Sequence, residues 1–344
     1  MTNLTRIAIA TRKTVRYAIY LTILLIVGRI VLNLGIGIYN ILFPKPPPPP
    51  TVTYGKLPKL PFPETAEPVS VKYTVQTATG ELPKFANQAK VYFMPKHVTS
   101  FNATDATREK AAILGYPTQK EKVNDTVYRF VDKDQFGTIE INTVSNLFTV
   151  SYNLSADPSP LSTRPANPEV AAGSAKSLLS SAKLLPADLT GPTTNVFLKA
   201  QAQQVVPALS LSDASFVKVN LFRKDYDEFP SVTLNPDEAN VWFMYGGGSK
   251  LIAAQYKYYP VDEEHSSTYP IKTAQAAVDE LTGGTGFIAK KGVNNDSQTT
   301  IRKIYLAYYD SGKPQDFYQP IFVFEGDRGF IAYLPAVTAE YYGQ

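Results

Sequence analysis

The chain has 344 residues and no cysteine. That absence excludes disulfides and thiolate metal centres, so any folded part is held by its core alone. An outer-surface chain without disulfides fits a bacterial envelope. Histidine is almost as scarce. The two present, His97 and His265, have no cysteine partners, which leaves little material for a zinc site. No G-x-S-x-G elbow marks a nucleophilic serine. Acidic residues are missing from residues 1–43, which carry Arg6, Arg12, Lys13, Arg16 and Arg29. The net charge of +4 therefore misleads, because the remainder holds 29 basic against 30 acidic residues. A near-neutral outer part lacks the basic footprint of a nucleic-acid binder. No cofactor motif stands out, and none is expected to be bound.

What is present begins with residues 17–43, an apolar stretch of 27 residues whose one formal charge is Arg29. A helix needs about 20 apolar residues to cross the hydrocarbon core. The basic tail formed by residues 1–16 places the N-terminus in the cytoplasm and the bulk of the chain outside. A cleaved signal peptide has a shorter apolar region and small residues at its cut site. This stretch is longer and runs into Pro44, so it reads as an uncleaved signal anchor. Within it Thr22, Arg29, Asn33, Gly37 and Asn40 are 7, 4, 4 and 3 residues apart, which puts them near one helical face. An arginine at the bilayer centre costs about 2.5–3.5 kcal/mol and usually faces a partner or water. Small and amide residues beside it suit close helix pairing. That face is the candidate site for a partner in the membrane; a tilted helix with Arg29 reaching for a headgroup is the competing reading.

Five consecutive prolines, residues 46–50, then open a proline-rich spacer over 44–68. Such a run favours extended polyproline II. Residues 69–155 read as a first module: strands at 70–76 and 90–94, a helix over 106–114 stopped by Gly115, and strands at 126–131, 138–144 and 147–154. A linker follows at 156–168, ending in an Asn167 cap and Pro168. The second module, 169–260, has a helix to about 185 and strands at 216–222, 240–245 and 251–259. Its last two strands are joined by the turn Gly246-Gly247-Gly248-Ser249. The third module, 261–344, has a Thr273-capped helix and strands at 300–309, 318–324 and 329–335. A short helix followed by an antiparallel meander thus recurs, and the fold class is α+β on one transmembrane helix.

Signals of chemistry are weak. Residues 132–137, DKDQFG, open like a calcium loop, but Phe136 and Thr143 replace two required ligands, and a hairpin turn is expected. Gly246 to Lys250 lacks the order of a phosphate loop. The carboxylates at 225–228 and 262–264 are of the type glycosidases pair, and they sit at strand ends as solvated loops. His265 is expected in one of those loops.

In the third module Tyr258-Tyr259-Pro260, Tyr269-Pro270-Ile271-Lys272-Thr273, Ile304-Tyr305-Leu306-Ala307-Tyr308-Tyr309 and Gln319-Pro320-Ile321-Phe322-Val323-Phe324 carry a resemblance. Residues 255–336 resemble YycH/YycI-like and, more loosely, PepSY-type extracytoplasmic proteins. The chain is also similar in layout to uncharacterised single-pass surface proteins of minimal-genome bacteria. The first resemblance implies a protein that is not an enzyme and that restrains a membrane sensor kinase through its helix and outer domain. The expected function is therefore a membrane-anchored regulator or scaffold with a protein partner. A hydrolase of envelope polymers and a structural surface protein are the alternatives.

Overall fold

The computed structural model describes residues 2–42, 48–63, 72–99, 101–201, 204–293 and 298–343. Two compact units are present, Met1–Pro49 and Pro50–Gln344. In the first, the apolar stretch and the basic segment before it form one helix, α1 (Thr2–Leu42). No proline interrupts residues 2–42, and Pro44 stands where helices characteristically stop. Residues 12–39 are long and apolar enough to cross a membrane.

The second unit is α+β and mostly sheet. In chain order it has β1 (Lys72–Val75), β2 (Gln88–Phe93), α2 (Ala103–Ile113), β3 (Thr118–Lys122), β4 (Val127–Val131), β5 (Gly137–Asn142) and β6 (Phe148–Tyr152). Next come α3 (Pro168–Ser181), β7 (Thr193–Gln201), β8 (Gln204–Pro207), β9 (Phe216–Leu221), β10 (Ser231–Thr233), β11 (Val241–Tyr245) and β12 (Leu251–Tyr256). The chain closes with β13 (Asp262–Pro270), α4 (Ala274–Thr282), β14 (Phe287–Lys290), β15 (Gln298–Asp310), β16 (Phe317–Tyr318), β17 (Pro320–Gly326) and β18 (Ile331–Pro335).

Among the described residues these strands form three sheets. The nine-stranded sheet is antiparallel throughout, in the order β3-β4-β5-β6-β12-β11-β9-β7-β8. The six-stranded sheet runs β1-β15-β17-β18-β14, with β10 also on β15; β1 and β10 are parallel to it. A three-stranded sheet orders β13-β2-β16. The sheets cut across the modules read from sequence. β6 bonds to β12, and β1 and β2 join strands from the far end of the chain.

Strand alternation sets the cores. In β5 every second residue is buried, so Ile139 and Ile141 share one core with Ala111 of α2 and Ala175 and Leu179 of α3. β17 is buried on both faces from Pro320 to Phe324. One face, with Phe322 and Phe324, packs on Ala277 and Leu281 of α4. The other, with Ile321 and Val323, is covered by Leu60 and Phe62. Residues 51–63, read as part of a spacer, are thus laid on the fold: Leu57 is 0% exposed, and its N–H donates to the Tyr341 carbonyl at 2.8 Å. Spacer residues 44–47 and 64–68 lie outside the described residues. Residues 156–168, read as a linker, also touch the sheet, through buried Pro160 and a bridge from Pro165 to Gly247.

Local signals explain most helix ends. Asn167 Oδ1 accepts from the Val170 N–H at 3.0 Å, and Thr273 Oγ1 from the Ala276 N–H at 3.2 Å. α2 starts three residues before the expected 106, with no side-chain cap bond, and Gly115 closes it at φ +101°. α3 stops at Ser181 rather than 185, because Lys183 turns left-handed at φ +56°. The polar run 262–265, expected as loop, is the start of β13. A bulge between Asp262 and Ser266 lets these residues face solvent while Ser267 and Tyr269 are buried against β2.

Candidate functional site

Because α1 is unbroken, the spacing of Thr22, Arg29, Asn33, Gly37 and Asn40 holds, and they fall within about 80° of arc at 100° per residue. Arg29, Asn33 and Gly37 are exposed, and Thr22 Oγ1 donates to the Ala18 carbonyl at 2.8 Å. Arg12, Lys13 and Arg16 are exposed on the preceding turns. Arg6 and Asn40 belong to the helix, but their side chains lie outside the described residues.

The other sequence candidates stay apart. His265 Nδ1 lies 2.7 Å from Asp262 on an exposed strand edge. Asp132 Oδ1 accepts from the Gly137 N–H at 3.0 Å and shapes a turn, while its Oδ2 lies 3.4 Å from Lys250. Asp227 pairs with Lys90 at 2.7 Å in a tight turn held by Tyr226 and Phe229. Gly246 to Ser249 form the β11–β12 turn, with Gly248 and Ser249 at positive φ. Among the described residues no group of three or more His, Cys, Asp or Glu side chains is placed to hold a metal.

Two features that the sequence did not reveal dominate the interior. The first is a buried charge hub. Arg223, just past β9, donates to Asp310 at 2.8 Å and to Asp188 at 2.6 Å, and its third arm reaches the Tyr259 carbonyl. Tyr226 and Tyr258 donate to the two oxygens of Asp188 at 2.7 and 2.8 Å. Burial opposes charge on the guanidinium, yet Asp310 and then Asp188 hold it charged, well above its ordinary pKa. Burial, followed by Asp188, pushes the Tyr226 hydroxyl up, so it remains a donor. Every arm of this hub has a partner, and it ties β9 of the large sheet to β15 of the six-stranded one.

The second is a cleft of ≈660 Å³ between the β5–β6 turn and the three-stranded sheet. Its wall comes from four short segments: 58–61, 94–97, 142–147 and 314–319, with Thr126 and Tyr259. Met94, Val144, Leu147 and Phe317 make it largely apolar. Asn142 Oδ1 sets the β5–β6 turn by accepting from the Val144 and Ser145 N–H groups at 2.9 and 3.0 Å. Lys96 and Asp316 pair at 2.9 Å on its exposed rim. Four buried polar atoms without a partner belong to its lining residues: His97 Nε2, Ser145 Oγ, Gln315 Oε1 and Gln319 Oε1. Gln319 is only 2% exposed. The ring of His97 is held below its ordinary pKa by burial, against a hydrogen bond to the Tyr258 carbonyl. The size is that of small-ligand sites, which span about 300–1,000 Å³.

One signal in the sequence pointed here. Gln319 interrupts an otherwise apolar run, and a polar residue between buried neighbours calls for a reason. Arg223 and Asp310 likewise end the apolar runs of β9 and β15.

No family model and no curated protein matches the chain. Among solved structures, an uncharacterized protein from Eubacterium rectale matches with a TM-score of 0.43 at 12% identity, over 75% of this chain and 86% of that one. The YpeB C-terminal domain from Bacillus megaterium matches with a TM-score of 0.33 at 11% identity, over 71% of this chain and 95% of that one. Likenesses this weak assign neither a family nor a role.

Proposed function

We propose that the chain is a single-pass membrane protein with a cytoplasmic N-terminus, whose folded unit lies outside the cytoplasm and acts by binding rather than catalysis. The carrying observation is the division into an apolar spanning helix and a separate folded unit that contains a ligand-sized cleft. Basic residues without acidic ones before the apolar stretch support the orientation. The role is that of a regulator or scaffold for another membrane or envelope protein, engaged through the polar face of α1, through the folded unit, or through both. The recurring order of a helix followed by antiparallel strands, after α2, α3 and α4, supports reading the folded unit as variations on one plan.

The test uses the full-length chain in a bacterial host. Alkaline carbonate should leave it in the membrane pellet, and protease added to spheroplasts should digest the folded unit while sparing an N-terminal tag. A carbonate-soluble chain, or a folded unit protected from protease, would overturn the reading. For the helix face, a photo-crosslinker at Asn33 should trap one discrete membrane partner, and Arg29→Leu should abolish that product without changing insertion. An undiminished product in Arg29→Leu removes the arginine from the interface.

A further inference from the structure

The four polar atoms without partners at the cleft share one chemistry. Gln319 donates its amide N–H to the Pro58 carbonyl at 3.0 Å, and Gln315 donates its own to Ser311 Oγ. Both side-chain oxygens are left to accept. His97 gives its N–H to the Tyr258 carbonyl, which leaves Nε2 a bare acceptor. Ser145 Oγ adds a hydroxyl that accepts as well. Burying such a group unpaired is costly, because its bonds to water are lost without replacement. Their gathering around one cleft is the mark of a site whose bonds are completed from outside the chain.

We propose that this cleft binds a short peptide segment bearing an apolar side chain, with backbone N–H groups donating to Gln315, Gln319, Ser145 and His97. An extended peptide offers N–H donors beside alternating side chains, and Met94, Val144 and Leu147 form the apolar floor for one of them. A proline run is a poor occupant because it has no N–H to give. A glycan fits less well on two counts. Its hydroxyls seek donors as well as acceptors, and the amide donors of Gln315 and Gln319 are already engaged. Phe317, the ring a sugar would stack on, already lies against Tyr54 at 4.7 Å and meets Phe93 at 6.3 Å. The four atoms are shielded from solvent, so binding includes local shifts that uncover them to the incoming donors while the Gln315 and Gln319 amide N–H bonds stay in place. This inference rests on the reading of the folded unit as a binding module.

Methionine supplies the probe. The chain has three, of which Met94 lines the cleft and Met244 lies in β11. Full-length protein in nanodiscs, carbon-13 labelled at the methionine methyls, is titrated with N-acetyl-Ala-X-Ala-amide peptides, X being Leu, Phe or Val. The same peptides N-methylated at every backbone amide, and chitotriose, are titrated in parallel. The expected result is a saturable shift of the Met94 methyl with Met244 unmoved, about tenfold weaker for the N-methylated peptides. Ser145→Ala should weaken binding about threefold, with an unchanged Met244 signal reporting an intact fold. Equal binding of the N-methylated peptides, or no Met94 shift at millimolar peptide, overturns the proposal. A shift with chitotriose alone overturns the peptide but keeps the binding module, so the two readings fail separately.

Discussion

The Arg223 hub and the cleft both bury polar groups where sheets meet, and they treat them in opposite ways. In the hub one guanidinium, two carboxylates and two tyrosine hydroxyls satisfy one another, and the side chains of Arg223, Asp188 and Asp310 are 2%, 8% and 8% exposed. At the cleft two glutamines, a serine and a histidine each keep an atom without a partner. A closed network of this kind fixes how elements pack, because no member can be removed without stranding another. An open set does not help the fold, and its retention has to be explained by function. The hub is therefore architecture and the cleft is the site, and stability measurements on each separate the two roles.

The largest effect is expected at the hub. Arg223→Met strands Asp188 and Asp310 in the interior and should cost about 3–5 kcal/mol in urea unfolding. Replacing Asp188 and Asp310 by Leu in the same chain should recover most of that loss, since an apolar cluster of similar volume carries no desolvated charge. If Arg223→Met unfolds like the parent chain, the hub is not architecture and the comparison fails. Gly191 gives a second and smaller test. A Cβ built there lies 1.8 Å from the Arg223 carbonyl oxygen, so the backbone carrying the guanidinium must move. Gly191→Ala should cost about 1–3 kcal/mol through this overpacking alone.

At the cleft the sign should reverse. Ser145→Ala deletes a buried hydroxyl with no partner and should raise stability by about 1 kcal/mol while weakening the peptide. A stabilising substitution that harms binding is the signature of a group kept for function. A loss of stability instead would mean that Ser145 is satisfied in solution, and the contrast with the hub would shrink.

These two regions also show what a single sequence can and cannot carry. α3 and α4 were legible because Asn167 and Thr273 make their cap bonds locally. β5 and β6 were legible because their apolar residues alternate on one face. β13 was missed, since its first four residues are polar and exposed by a bulge, a feature set by pairing with the distant β2. β7 and β8 were missed because the edge of the sheet buries little of them. Single polar residues such as Gln319 and Arg223 stand out in the sequence, but hub and cleft cannot be assembled from them, because each is built across long separations. Arg223 meets a residue 87 positions away, and Gln319 meets one 261 positions away. The segments at 94–97, 142–147 and 314–319 read singly as strand ends and the turns beside them, and only packing makes them one wall.

The smallest effect, and the finest test of the contrast, is the titration of His97. Burial holds its ring below the ordinary value of 6.5, and the bond to the Tyr258 carbonyl only partly offsets this. The folded chain therefore binds fewer protons than the unfolded chain between the lowered value and 6.5. The stability contributed by the neutral ring is complete above 6.5 and is lost as pH falls from there through the lowered value. Lys59, Lys96, Asp316 and Tyr259 line the same cleft and stay in place in His97→Gln. The difference between parent and variant in urea midpoint across this window therefore isolates the ring. The parent should lose stability on acidification and the variant should lose less; identical slopes would mean that the ring is solvated and the wall is not closed around it. Acid should also release the peptide, because protonation converts the Nε2 acceptor into a donor that meets an N–H head-on. The hub built on Arg223, Asp188 and Asp310 holds no histidine, and its guanidinium stays charged, so it contributes no imidazole step of this kind.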